Sequence, residues 1–234
     1  MNLPLISRRY LDEVMEPTWP PAASRTFGPF RLREAQGGGK RVGASTAEAD
    51  WREADLFALE AECPQTLFAI REGDEALDAA LAARGYDMVD PVLIYRKPLV
   101  DIAPEPSAMP HWPPLALARD LWAENDIGAG RIVVMERVKG PKAVLMARRG
   151  ERIGGLAFVA CAKDQAMIHA LLTAPQCRRQ GIGRQLMQAA AAWAATEGAQ
   201  ALTLAVTAQN AAARALYAQE NMEIIGRYHY RMRR

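Results

Sequence analysis

Residues 166–184, AMIHALLTAPQCRRQGIGR, predict a strand, a glycine-containing turn and the start of a helix. The apolar run 167–173 favours a strand and stops before Pro175. Gly181 and Gly183 then precede an alanine-rich run with strong helix propensity. The first backbone N–H groups of a helix have no intrahelical partner, and the helix N-terminus carries a partial positive charge. The turn is therefore a candidate site for a phosphate or a pyrophosphate.

Three arginines surround this turn and strengthen the case for an anion site. Arg178, Arg179 and Arg184 supply guanidinium groups, which bond phosphate oxygens well. The two glycines permit a positive φ and a close approach of the backbone to a ligand. The pattern lacks the Gly-Lys-Ser/Thr ending of a P-loop and the third glycine of a dinucleotide-binding fingerprint. On this stretch alone, a helix start with solvated arginines remains the alternative.

The same stretch resembles motif A of the GNAT acetyltransferases, whose pyrophosphate loop reads Arg/Gln-x-x-Gly-x-Gly/Ala. Arg178, Gly181 and Gly183 match that pattern. Thr173-x-Pro175 stands where the family often has Val-x-Pro. The resemblance implies that the loop amides hold the pyrophosphate of acetyl-CoA, with no metal. The cofactor-binding residues implied are Leu171, Leu172, Thr173, Arg178, Arg179, Gln180, Gly181, Ile182, Gly183 and Arg184.

A second stretch, residues 202–222, LTLAVTAQNAAARALYAQENM, resembles motif B of the same family. The matching positions are Leu204, Val206, Asn210, Ala213, Leu216 and Tyr217. Asn221-Met222 replaces the usual Gly-Phe, so the end of this helix differs, although Asn also accepts the left-handed conformation found there. Together the two motifs imply an α/β (α+β) fold for residues 110–234, a GNAT-type mixed sheet flanked by helices.

Composition sets wider limits on the function. Half of the 234 residues are hydrophobic, 24% are charged and the net charge is +2, which is ordinary for a soluble globular chain of one large or two small domains. We expect no nucleic-acid or membrane partner, since no apolar run approaches ~20 residues. Cys63, Cys161 and Cys177 lack disulfide or metal spacing, and no signal peptide is evident. We therefore expect a cytoplasmic protein with reduced thiols.

The first half of the chain echoes the second. ALAARGYDMVDPVLIYR at 80–96 is similar to ALYAQENMEIIGRYHYR at 215–231, which suggests an internal duplication. The first copy lacks the Arg-x-x-Gly-x-Gly loop, and Glu48 and Asp50 would repel a pyrophosphate there.

We predict a smaller, degenerate GNAT-like domain at 1–100, which cannot hold CoA and serves structure and the substrate groove. A linker follows at 101–114, extended by its five prolines. The acetyltransferase domain is then predicted at 115–234.

Several local expectations follow from the pattern. Residues 40–45 are predicted to form a strand after Gly37-Gly38-Gly39, which we interpret as a hairpin turn or loose loop rather than a phosphate cradle. Pro91 would be tolerated poorly in a central strand. Asp74 is a possible N-cap. Tyr228 and Tyr230 alternate with His229, which indicates an edge strand or, alternatively, one face lining a substrate pocket.

Direct attack of an amine on the acetyl thioester needs three groups. Backbone amides of 171–173 can polarise the carbonyl. The leaving thiolate needs a proton, and the family's tyrosine for this task falls on Tyr217, whose alternative role is packing. A base is also needed, and the middle strand offers His169, which is otherwise a core histidine.

Other groups remain open for these roles. A bound water, Glu124 or Asp126 is an alternative base. Asn210 is predicted to cap a helix, and the resemblance implies that it also touches the pantetheine arm.

The resulting hypothesis is an N-acetyltransferase that transfers the acetyl group of acetyl-CoA to a primary amine of a small molecule or peptide. A non-catalytic CoA-binding sensor or scaffold is the first alternative, suggested by the missing carboxylate on the middle strand. A nucleotide-binding protein that uses the same loop is the second. The identity of the acceptor, and the choice between monomer and homodimer, stay open.

Overall fold

The computed structural model describes residues 4–64, 66–104 and 108–233. In the first half, the elements are α1 (a continuous helix over Arg8–Tyr10, Leu11–Met15 and Glu16–Thr18, with π-type bonding in the middle), β1 (Ala23–Phe27), β2 (Phe30–Glu34), α2 (Lys40–Gly43), β3 (Thr46–Ala47), α3 (Glu53–Glu62), β4 (Phe68–Ile70), α4 (Glu75–Ala83) and β5 (Asp87–Pro98).

The second half continues with helices and long strands. Its elements are β6 (Ala108–His111), α5 (Ala116–Ala123), α6 (Ala129–Arg137), β7 (Lys142–Arg149), β8 (Arg152–Ala162), β9 (Gln165–Thr173), a 3₁₀ turn (Pro175–Cys177), α7 (Ile182–Thr196), β10 (Ala201–Thr207), α8 (Ala211–Gln219) and β11 (Glu223–Met232). The predicted succession of strand, turn and helix at 166–184 is confirmed by β9 and α7.

An eight-stranded sheet in the order β4-β11-β5-β10-β9-β8-β7-β6 forms the centre of the molecule. The pair β9 and β10 is parallel, and the other neighbouring strands in it are antiparallel. A second, three-stranded sheet contains β1, β2 and β3. The predicted mixed sheet flanked by helices is therefore confirmed.

The two halves exchange strands within the large sheet. β5, from the first half, lies between β10 and β11 of the second half, and β11 lies between β4 and β5 of the first. The ladder of β5 with β10 runs from Pro98 opposite Ala201 to Val92 opposite Thr207. The two halves thus share one sheet. The division into a domain at 1–100 and a domain at 115–234 stays a prediction from the sequence.

Pro91 lies inside a central strand, which corrects the expectation that it would not be tolerated there. The ladder between β5 and β11 shifts between Tyr228 and Tyr230, so it skips Asp90 and Pro91. Asp90 has a φ of 44°, and the carbonyl of Pro91 still accepts from Ala208 at 2.7 Å. A bulge of this kind needs no ladder N–H from the proline, which is why the strand accommodates it.

Two other local predictions were wrong: the strand at 40–45 and the edge position of the strand that contains Tyr228 and Tyr230. Lys40–Gly43 is a helix that follows the triple glycine directly, and Gly39, with a φ of 93°, precedes its first turn. The tyrosine-rich strand β11 is internal. Ala108–His111, within the predicted linker, pairs with β7, while residues 105–107 lie outside the described residues. Asp74 occupies the N-cap position of α4 as expected, while its carboxylate contacts Arg71 and Arg8 and forms no capping bond to the helix.

The helix α7 covers one face of the sheet. It buries Leu186, Met187 and Ala190 against the strands, and Trp193 packs there while partly exposed. Gly155 of β8 lies directly beneath the helix start, because a Cβ there would come within 2.7 Å of Ile182 Cγ2 and 2.6 Å of the Leu172 carbonyl oxygen. This contact holds the beginning of α7 close to the strands.

No helix in the ranges given above is both long enough and apolar enough to span a bilayer. Within the same ranges, no group of three His, Cys, Asp or Glu side chains is arranged to hold a metal ion.

Candidate active site

The parallel strands β9 and β10 separate along their length and open a cleft. Their register ends at Leu204 opposite Ile168. Two residues further on, β9 contains a bulge, where Ala170 has a φ of 50° and the pairing with β8 shifts. The indole Nε1 of Trp122 donates to the Ala170 carbonyl at 3.0 Å. The bulge and the buried indole thus hold the end of β9 away from β10.

The cleft has a volume of about 560 Å³ and receives side chains from both halves of the chain. From the second half it includes Ile168, His169, Ala170 and Leu171 of β9, Leu204 to Thr207 of β10, Asn210, Tyr217, Tyr228, Tyr230, Ile127 and Arg131. From the first half it includes Trp19, Gly38, Gly39, Lys40, Arg41, Asp90 and Val92. Four predicted site residues therefore meet here: His169, Leu171, Asn210 and Tyr217.

The predicted anion loop follows the end of β9. Gly181 precedes α7 with a φ of 85°, and Arg179 also has a positive φ, of 61°. No side chain caps this 15-residue helix, so its first N–H groups are available to an external acceptor. Arg178 and Arg179 are exposed and form no ion pair with any residue that the structure describes. The loop therefore combines free backbone donors with two unengaged guanidinium groups.

The remaining loop residues are engaged with the protein. Gln180 accepts from Arg149 at 3.2 Å and donates to the Gln176 carbonyl at 3.0 Å. Arg184 pairs with the buried Glu220 at 3.2 Å. The Ile182 side chain is buried under the sheet.

Gly183 allows α7 to approach α8, since a Cβ at this position would lie 2.9 Å from Leu216 Cδ2. Leu172 and Thr173, at the end of β9, pair with Leu156 and Gly155 of β8.

Asn210 and Tyr217 lie at the far wall of the cleft, on the segment that resembles motif B. The Asn210 side chain accepts from the Ala213 N–H at 3.0 Å, which confirms the predicted helix cap. Tyr217 is buried, with its ring 5.4 Å from that of Tyr95. Burial, with a smaller contribution from Tyr95, raises the pKa of Tyr217 to about 12. Its hydroxyl therefore keeps its proton at neutral pH.

His169 is buried and has both ring nitrogens engaged. Nδ1 lies 2.9 Å from Nη1 of Arg41, and Nε2 lies 3.0 Å from Oγ1 of Thr18. The ring also stacks on Trp19 with centroids 4.8 Å apart. Burial, with a further contribution from Arg41, holds the pKa of His169 well below its usual 6.5. No lone pair of this neutral ring is left for a substrate proton in this arrangement.

Arg41 and Asp90 are cleft residues that sequence reasoning missed. Arg41 contacts His169, and the hydroxyls of Tyr228 and Tyr230 lie beside its guanidinium. Asp90 pairs with Lys40 at 2.5 Å and is the only carboxylate lining the cleft among the described residues. Glu124 and Asp126, the predicted alternatives, do not line it. The one signal in the sequence is the basic pair Lys40-Arg41 after three glycines, in a stretch whose pattern predicts a strand.

Residues 105–221 match the family model described as the acetyltransferase (GNAT) family. The chain belongs to the GNAT family. The predicted resemblance is thereby confirmed, and the matched range contains β9, the anion loop, α7 and almost all of the motif B segment. Acyltransferase activity is supported in general terms by this membership, while the roles of individual GNAT residues stay predictions.

Relatives and solved structures agree with membership of the GNAT family. An uncharacterized N-acetyltransferase, YobR, from Bacillus subtilis (strain 168) is 24% identical over 246 residues, which cover 97% of this chain and 98% of that one. The solved GCN5-related N-acetyltransferase from Kribbella flavida has a TM-score of 0.68 at 16% identity, covering 96% of this chain and 94% of that one.

A tandem GNAT protein from the clavulanic acid biosynthesis pathway has a TM-score of 0.58 at 13% identity and covers 86% of this chain and 76% of that one. At these identities, the structural likenesses show the fold alone.

Proposed function

We propose that this protein is an N-acetyltransferase that transfers the acetyl group of acetyl-CoA to a primary amine by direct attack. The observation that carries the proposal is the parting of β9 from β10 beside an uncapped helix start with a left-handed Gly181. A slot between two strands suits the narrow pantetheine arm, and the adjoining N–H groups of α7 suit a pyrophosphate. Arg178 and Arg179 supply charge at the same end.

Two kinds of polar group along the cleft are assigned to the acetyl transfer: backbone amides of β9 and the hydroxyl of Tyr217. Backbone amides of 171–173 would polarise the thioester carbonyl as the amine nitrogen bonds to its carbon. As the carbon–sulfur bond breaks, the protonated Tyr217 would donate to the leaving sulfur. With a pKa of about 12 the hydroxyl carries its proton at neutral pH, as a general acid must.

The amine must lose a proton, and the geometry favours a route other than His169. Both nitrogens of that ring are hydrogen-bonded within the protein, so we assign His169 the role of holding Arg41 in position. A water in the cleft or Asp90, which faces the same space, would take the proton.

We assign to the first half the binding of the amine acceptor, at the end of the cleft lined by Lys40 and Arg41, and not the binding of acetyl-CoA. Its equivalent of the parted strands is the contact between β3 and β4, which are joined by a single parallel bridge from Ser45 to Phe68. Just beyond it, the buried Arg71 donates to the Ala47 carbonyl at 2.6 Å and pairs with Asp74. A guanidinium thus occupies the position that a pantetheine arm would need.

Calorimetric titration with acetyl-CoA tests the binding part of the proposal. Arg178→Glu and Gly181→Asp should each weaken binding by about tenfold or more, because each puts a negative charge at the anion loop. Arg25→Glu, a charge reversal on the exposed strand β1, is the matched control and should bind as the wild type does. Unchanged affinity in both loop variants would remove the loop from the site.

Release of free CoA thiol in the presence of a panel of amines tests the reaction. Stimulated release by any primary amine, with an N-acetylated product, is the expected result. Tight acetyl-CoA binding with no release from any amine would favour a sensor or scaffold. Tighter binding of ATP or NAD than of acetyl-CoA would favour a nucleotide-binding protein.

A further inference from the structure

The acceptor end of the cleft is basic. Its charged lining consists of Lys40, Arg41 and Arg131 against the single carboxylate of Asp90. Lys40 is already paired with Asp90. The charge that remains at this end comes from two arginines, so a cationic acceptor would be repelled from it and an anionic one attracted.

Arg41 is set deep in this surface without a carboxylate partner among the described residues. A guanidinium has five N–H donors and is always charged. The acceptors beside it are Nδ1 of His169 and the hydroxyls of Tyr228 and Tyr230. None of the three is a carboxylate, and burial raises the pKa of Tyr230 well above its ordinary value of 10.0. The full positive charge of Arg41 therefore forms no ion pair with a carboxylate among the described residues.

The neighbouring acidic groups do not supply the missing charge. Arg41 also borders a small cavity of about 40 Å³ that Asp12 and Glu16 line. Glu16 is bound by Arg31 and Arg33. Asp12 forms no ion pair with the described residues, and burial together with Glu48 raises its pKa. Arg41 remains partly accessible, and the large cleft is the space that a ligand can enter.

We propose that the amine acceptor carries a carboxylate and that Arg41 binds this group. The proposal rests on the acetyltransfer function above and names the class of acceptor: a zwitterionic amino acid, a peptide or another amine with an acidic group. A charged pair of guanidinium and carboxylate in a cleft is a strong and geometrically specific contact. Polyamines and other polycations are excluded by the same charge.

The experiment compares three matched series of acceptors at one acetyl-CoA concentration. The series are unbranched ω-amino acids of increasing length, their primary amides and the corresponding diamines. We expect kcat/KM for the best amino acid to exceed that of its amide by about 10- to 100-fold. In Arg41→Gln this preference should disappear while the KM for acetyl-CoA is unchanged, and Arg41→Lys should retain part of it.

A second arginine variant and a test of folding serve as controls for Arg41→Gln. Arg137→Gln removes an arginine on α6 that contacts Gln36 outside the cleft, and it should keep the full preference. Circular dichroism confirms that each variant is folded. Where no acceptor is turned over, calorimetric binding of N-acetylated ω-amino acids and of their amides to the CoA-loaded protein gives the same comparison.

The outcomes separate this proposal from the function on which it rests. Acetylation of amides or diamines as fast as of amino acids would overturn the carboxylate assignment and leave the acetyltransfer function intact. An undiminished preference in a folded Arg41→Gln variant would also overturn it, and so would equal binding of N-acetylated acids and amides. Absence of acetyl-CoA binding would instead overturn the acetyltransfer function.

Discussion

Nη1 of Arg41 lies 2.9 Å from Nδ1 of His169, a residue 128 positions further along the chain. A guanidinium cannot accept a hydrogen bond, so the imidazole accepts at Nδ1 and carries its proton on Nε2. Nε2 in turn donates to Thr18 at the end of α1. Two segments of the first half therefore fix the tautomer of a histidine on the central strand of the second.

The first prediction concerns the pH dependence of stability. The pKa of His169 is lowered in the folded state. Below about pH 6.5 the imidazole is therefore protonated in the unfolded chain but still neutral in the folded one. The free energy of unfolding should fall with decreasing pH by up to ~1.4 kcal/mol per unit until the folded pKa is reached. His169→Gln, which preserves an acceptor and a donor, should lack this component.

Urea denaturation of both proteins at about pH 8 and about pH 5 measures the effect. The variant should be less stable by about 1–2 kcal/mol at the higher pH, and the gap should narrow at the lower one. His111→Gln is the control, because that histidine borders neither the cleft nor Arg41. A gap that does not change with pH would show that His169 takes up its proton normally.

The second prediction concerns Tyr217. If its hydroxyl donates to the leaving sulfur, Tyr217→Phe should lower kcat by about 10²-fold or more with little change in the KM for acetyl-CoA. Because the pKa of Tyr217 is about 12, kcat should not decline through its ionisation between about pH 7 and about pH 10. Tyr95→Phe, at the adjacent ring, is the matched control. Equal losses in the two variants would indicate a packing role for Tyr217.

The third prediction concerns Gly155 beneath the helix that carries the anion loop. A Cβ at this position would lie 2.6 Å from the backbone oxygen of Leu172 and 2.7 Å from Cγ2 of Ile182, so Gly155→Ala must displace β9 and the start of α7 from β8. We expect a loss of about 1–3 kcal/mol in unfolding free energy, together with weaker acetyl-CoA binding. Gly128→Ala, where a Cβ meets nothing within 4 Å, should cost less than about 1 kcal/mol. Thermal melts and calorimetry would give both quantities.

Features that depend on local spacing were predictable from the sequence. The strand, turn and helix around Gly181 follow from an apolar run, a proline and two glycines within one short stretch. The cap at Asn210 likewise depends on a bond to a residue only three positions away.

Features that depend on distant partners were not predictable. β5 pairs with β10 and β11 of the second half of the chain, and β11 pairs with β4 and β5 of the first. Several strands have a similar apolar character, so the local sequence does not determine which of them become neighbours. The bulge that accommodates Pro91 exists because β11 shifts register opposite it. The four-residue helix at Lys40 is too short for a periodic pattern, so Arg41 could not be placed in the cleft.

The last prediction is that one acetyl-CoA binds to each chain, in spite of the internal duplication that the sequence suggests. In the first half the position beyond β3 and β4 is filled by Arg71, which is fully buried and bonded to Ala47, Glu48 and Asp74. Arg71→Met should lower the free energy of unfolding by about 3–5 kcal/mol, since it removes one of the cations that pair with the buried carboxylate of Asp74. It should not create a second site, because Glu48 and Asp74 would still oppose a pyrophosphate.

Calorimetry should give a stoichiometry near one acetyl-CoA for the wild type and for every folded variant. Arg8→Met is the control, because Arg8 pairs with the same aspartate, Asp74, but is more exposed than Arg71. A stoichiometry near two would mean that the first half retains a working anion site.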